Sequence, residues 1–126
     1  MSMTTPLKRV RRLGSAKEGA DHFWKQRLTA IANVVLAIGL VWLIASLVGA
    51  NHADAKAMIS NPFVALMLLL LVVSGTVHMR LGMQVIIEDY VSNEGAKLAL
   101  LMVNTFFAII IGLACTYAVL KLSFGA

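Results

Sequence analysis

Residues 28–48, LTAIANVVLAIGLVWLIASLV, are 21 consecutive positions without a charged side chain. A bilayer core of ~30 Å is crossed by ~20 apolar residues in a helix, so this run reads as a membrane-spanning helix. It stops at Gly49-Ala50-Asn51, a helix-ending combination. Working outward, a second span is predicted over residues 63–87, opened by Pro62 in the first helical turn. A third is predicted over residues 98–120, ending at Lys121. The composition agrees: of 126 residues 60% are apolar and 13% charged, and mean hydropathy is +0.84. Soluble domains carry roughly 25% charged residues, so a soluble globular protein is excluded. The expectation is an all-α membrane protein with three transmembrane helices. Its domain plan is a basic segment at residues 1–27 and one membrane domain at residues 28–126, with polar loops at 51–61 and 88–97.

The net charge of +5 is unevenly placed. Lys8, Arg9, Arg11, Arg12, Lys17, Lys25 and Arg27 precede the first span, and Lys97 lies in the loop on the same face. Only Lys56 and Lys121 flank the opposite face. Eight cations against two place the N-terminus in the cytoplasm by the positive-inside rule. A basic arm also suits nucleic acid, but few aromatics are interleaved with it and it abuts an apolar run, so no nucleic-acid partner is expected. The segment lacks the short apolar core of a secretory signal, and Pro6, Gly14 and Gly19 are expected to interrupt any long helix there. Cys115, the single cysteine, cannot form an intrachain disulfide.

Chemistry is sought where insertion is expensive. Ionisable groups inside membrane helices are costly and face protein, water or a ligand, and His78 and Arg80 are both inside the second span. Two residues apart on a helix is ~200° of rotation, so the two address different surfaces. Ser74, His78, Gly82, Val85 and Asp89 share one face. Small residues one turn to either side of an imidazole suit an axial haem ligand; they suit a polar helix-packing seam equally. His22 and His52 lie outside the apolar runs, so a second histidine ligand would come from another chain. Arg80 reads as a snorkelling or counter-charge residue. Arg27, at the entry to the first helix, reads as an interface anchor or a partner for a carboxylate. Asp89 and Tyr90, where the second helix leaves the membrane, offer a phenol beside a carboxylate for a carbonyl group. Ala108, Gly112 and Cys115 form a small-residue stripe suited to packing. All six acids lie outside the apolar runs, which argues against a proton-coupled transporter. No metal-ligand cluster, nucleophile–base pair or phosphate loop is present in the sequence.

The stretch HMRLGMQVIIEDYV at residues 78–91, with its spacing H-x3-G-x6-D-Y, resembles the hydrophobic membrane-anchor subunits of succinate dehydrogenase, respiratory complex II. LGSAKEG at 13–19 followed by HFWKQRLTA at 22–30 resembles the N-terminal segment of the alphaproteobacterial members. The resemblance covers essentially the whole chain. It implies a membrane anchor of succinate:ubiquinone oxidoreductase that is not catalytic alone. It forms half of a haem-containing helical bundle completed by the cytochrome b subunit, and it carries the FAD-holding flavoprotein subunit and the iron–sulfur subunit. It further implies that His78 is one axial ligand of haem b and that Tyr90, beside Asp89, hydrogen-bonds ubiquinone. Arg27 would lie near the haem propionates, with His22, Ser74 and Gly82 in the surrounding pocket. Arg80 departs from the family pattern, as does Ser92, where many relatives carry a histidine. The family segment begins close to Met1, an arrangement that favours a bacterial inner membrane over a mitochondrial one. A small helical assembly or scaffold protein without cofactor is the alternative.

Overall fold

The computed structural model describes residues 6–7 and 17–125. The cations Lys8, Arg9, Arg11 and Arg12, and residues 13–16 of the N-terminal resemblance, lie outside the described residues. Four helices follow in order: α1 (Lys17–Leu47), α2 (His52–Ile59), α3 (Pro62–Tyr90) and α4 (Glu94–Phe124). Three of them, α1, α3 and α4, are long and apolar enough to cross a membrane. At 1.5 Å rise per residue, the 29 residues of α3 extend ~43 Å, well beyond a hydrocarbon core of ~30 Å.

The helices are longer than the apolar runs because polar residues continue them past the lipid boundary. Gly19 does not interrupt α1, since its missing side chain weakens a helix without terminating it and its neighbours are good helix formers. The loop expected at 51–61 contains α2, and the loop expected at 88–97 contracts to residues 91–93. Each later helix starts on an asparagine cap. Asn51 Oδ1 accepts from the Asp54 amide at 2.8 Å, Asn61 Oδ1 from Phe63 at 3.0 Å and Asn93 Oδ1 from Ala96 at 3.0 Å. α1 ends where Gly49 takes φ +79°, the left-handed conformation that glycine reaches without a Cβ clash.

α3 is central, packed antiparallel to α1 on one side and α4 on the other. Glycine allows close approach at both seams. A Cβ on Gly39 would sit 2.5 Å from Met67 Sδ, and one on Gly112 would sit 3.3 Å from Thr76 Cγ2. Leu43, Ala65, Leu81, Ile87, Ala108 and Val119 are buried, with Asn104 the polar member. Ala108 and Gly112 therefore pack as expected of a small-residue stripe, whereas Cys115 is exposed. At the end opposite Tyr90, Ser123 Oγ donates to Ile59 O at 3.3 Å, and Ser60 Oγ, whose shorter contact is to Lys56 O at 2.7 Å, lies 3.2 Å from Leu122 O. These contacts hold the end of α2 against the end of α4. Most large apolar side chains face outward, as they must when lipid and other membrane helices are the solvent.

Candidate functional site

His78 and Arg80 do address different helices. His78 faces α1, where its Nδ1 lies 3.1 Å from Thr29 Oγ1; Arg80 faces α4, where its Nε donates to Thr105 Oγ1 at 3.3 Å. The ~200° between them on one helix thus separates two polar seams. Asn104 Nδ2 donates to Arg80 O at 3.0 Å, binding α3 and α4 at the same level.

The His78 seam has a defined proton order. The Thr29 hydroxyl sits 2.7 Å from Lys25 O and 3.1 Å from Gln26 O, carbonyls one turn back on its own helix. It spends its one proton there, so its oxygen accepts from His78. A neutral imidazole in this arrangement carries hydrogen on Nδ1 and a lone pair on Nε2. That is the tautomer of a histidine able to ligate a metal through Nε2, with its ring orientation set by the partner of the other nitrogen. Ser74 Oγ donates to Thr29 O at 3.3 Å, and Gly82 leaves room for Gln26, whose Nε2 would be 3.5 Å from a Cβ there. The expected face of Ser74, His78 and Gly82 is therefore real, and on one side it is closed by α1.

α1 presents a matching polar face. His22, Gln26, Thr29 and Asn33 recur at helical spacing, and His22 Nε2, Gln26 Oε1 and Asn33 Oδ1 are buried without a hydrogen-bond partner. Buried polar atoms lacking partners are expensive, and these three are covered by the chain's own helices. Thr29, Gln26 and Asn33 are not among the residues that the cost of a buried charge singles out, because all three are neutral. Their spacing of three and four residues from His22 onward is the signal in the sequence that marks them.

The remaining candidates lie toward the same end of the helices. Arg27 is exposed, its guanidinium carbon 4.9 Å above the Phe23 ring. Asp89 and Tyr90 close α3 and are exposed, Tyr90 at 84%. Among the described residues the Tyr90 hydroxyl has no hydrogen-bond partner, while Gln84 Nε2 donates to Glu88 Oε1 at 2.8 Å nearby. His78 and Tyr90 are twelve positions apart on one helix, an axial separation of ~18 Å, so the fold places them at two levels and does not join them in one pocket. Among the described residues there is no cluster of three or more metal-binding side chains.

Comparison with known proteins addresses the whole chain. Residues 1–112 match the succinate dehydrogenase/fumarate reductase transmembrane subunit family. The succinate dehydrogenase hydrophobic membrane anchor subunit of Paracoccus denitrificans is 32% identical over 126 residues, covering 100% of this chain and 97% of the relative. The corresponding protein of Rickettsia conorii is 36% identical over 101 residues, 77% of this chain and 78% of the relative, and that of Rickettsia bellii is 32% identical over 114 residues, 88% and 89%. No solved structure matches the chain. A family match across most of the chain, relatives aligned along their length and three apolar spans agree: the chain belongs to the hydrophobic membrane anchor subunits of succinate dehydrogenase, within the succinate dehydrogenase/fumarate reductase transmembrane family.

Proposed function

We propose that this chain anchors the flavoprotein and iron–sulfur subunits to a bacterial inner membrane, supplies one axial ligand to haem b between itself and the cytochrome b subunit, and contributes to the ubiquinone-reduction site. The observation that carries the haem assignment is the bond from His78 Nδ1–H to Thr29 Oγ1, which leaves the Nε2 lone pair available. Only one ligand comes from this chain, so the other is assigned to the cytochrome b subunit. When bound, haem b supplies a one-electron redox centre. Arg27 lies one helical turn from Phe23 and, by swinging off that ring, would pair with a propionate. His22 lies toward the same end of α1.

Tyr90 is the quinone-facing residue in this reading. Its exposed hydroxyl, uncommitted within the described chain, would donate to a quinone carbonyl and stabilise the negative charge that develops there as electrons arrive from the iron–sulfur subunit. Asp89 beside it would tune that donor. With eight Lys and Arg on the Tyr90 side against two on the other, this end faces the cytoplasm.

The test uses the complex extracted gently from membranes. A dithionite-reduced minus oxidised spectrum should show a b-type haem that His78→Ala abolishes or displaces; an unaltered spectrum overturns ligation by His78. Tyr90→Phe should lower succinate:quinone reductase activity by ~10²-fold or more, the usual loss for one donor at a developing oxyanion, with haem content intact. Unchanged turnover removes the role given to Tyr90. A cofactor-free scaffold is the second reading, favoured by the fact that both His78 and Arg80 make polar packing contacts. A colourless preparation lacking the flavoprotein, iron–sulfur and cytochrome b partners would select it.

A further inference from the structure

Between α3 and α4, on the face away from His78, runs an open apolar groove of about 330 Å³ walled by Val73, Thr76, Ala108, Gly112 and Thr116, with Arg80 at one end. Its length follows from the helix positions. Val72 to Arg80 on α3 and Ala108 to Thr116 on α4 are each eight residues, ~12 Å of rise, close to the ~15 Å depth of one leaflet's hydrocarbon. Arg80 is ten residues, ~15 Å, from the end of α3 at Tyr90. With ~7 Å of that helix outside the core at this end, the Arg80 backbone lies ~8 Å inside the hydrocarbon edge, and the groove runs from there across the midplane.

That cation is uncompensated within its own helices. Every acidic residue lies near a helix end or in a tail, and the ion pairs among the described residues are Lys25–Asp21 and Lys97–Glu94. Thr105 holds only the Nε side of the guanidinium, and its hydroxyl is directed by its own bond to Leu101 O at 3.0 Å. Among the described residues, both terminal amino groups of Arg80 are therefore free to bind an anion in the fork geometry that suits phosphate. The apolar spans offer no carboxylate to provide it.

We propose that this groove is a binding site for an anionic phospholipid, with one acyl chain lying between α3 and α4 and the phosphate held by Arg80. A trough with apolar walls about 12 Å long and a single cation at its end nearer Tyr90 matches a lipid's order of charged head and apolar chain. A basic pocket between membrane helices is a recognised way to hold an acidic lipid headgroup, and drawing a phosphate inward by local thinning is one way a membrane offsets the cost of a buried arginine.

The experiment reconstitutes the intact complex in nanodiscs of phosphatidylcholine with an equal share of phosphatidylglycerol, and then counts retained lipids by native mass spectrometry. The wild type should retain phosphatidylglycerol with roughly tenfold preference, the size expected of a charged hydrogen-bonded contact. Arg80→Gln should abolish the preference, and Arg80→Lys should keep part of it. Val73→Trp, which narrows the groove and leaves the cation, should also reduce retention. Equal retention by wild type and Arg80→Gln overturns the site. Loss of a partner protein with unchanged lipid in Arg80→Gln also overturns it, because the groove would then be a protein seam. If Arg80→Gln fails to assemble, undiminished retention by Val73→Trp has the same force.

Discussion

A single hydroxyl decides what His78 can do. Thr29 gives its proton to the carbonyl one turn back and its lone pair to His78, so a neutral imidazole is held in the tautomer with hydrogen on Nδ1. Replacing it with valine keeps the shape and removes the acceptor. Losing such an outer partner commonly costs 10–100-fold in metal affinity or activity, so Thr29→Val should lower the haem-to-protein ratio after detergent washing by a factor in that range and shift the haem's magnetic-resonance signals. Thr29→Ser, which keeps the oxygen, should restore both. A Thr29→Val complex that retains haem as well as the wild type, with unshifted signals, would reduce Thr29 to packing. His78 itself is legible in the sequence as a costly residue in an apolar run. Thr29 is marked in the sequence only by its helical spacing from His22 and Gln26, and its meaning depends on which helix that face meets.

At the scale of elements, α3 works as a two-sided strut. One side carries Ser74, His78 and Gly82 against α1, and the other carries Thr76 and Arg80 against α4. Asn104 adds a side-chain bond to the Arg80 carbonyl in a position only 9% exposed. Hydrogen bonds between membrane helices contribute less than their dry surroundings suggest, ~0.6 kcal/mol on average and ~1.7 at most in bacteriorhodopsin. Asn104→Leu should therefore destabilise the α3–α4 pair within that range in a detergent-titration unfolding measurement, and a larger loss would mean Asn104 organises more than this one bond. The helix ends are unevenly legible in the sequence. Gly49 and Pro62 announce a stop and a start. The extension of α1 back to Lys17 and the presence of α2 are hidden because a polar helix outside the membrane lacks the hydropathy that marks a span.

At the scale of the whole molecule, the described residues form two polar seams, an apolar groove with Arg80 at its end and a mostly apolar outer surface. Such a surface is stable only in a bilayer or against other membrane helices. The membrane class, three spans and the placement of His78 inside the second of them followed from the sequence by itself, because hydropathy length and the cost of a buried ionisable group are local properties of the chain. The tautomer of His78, the bond from Arg80 to Thr105 and the groove it closes were decided by tertiary structure alone. Each depends on how α1 and α4 are rotated against α3, and that rotation is set by side-chain packing between helices far apart in sequence.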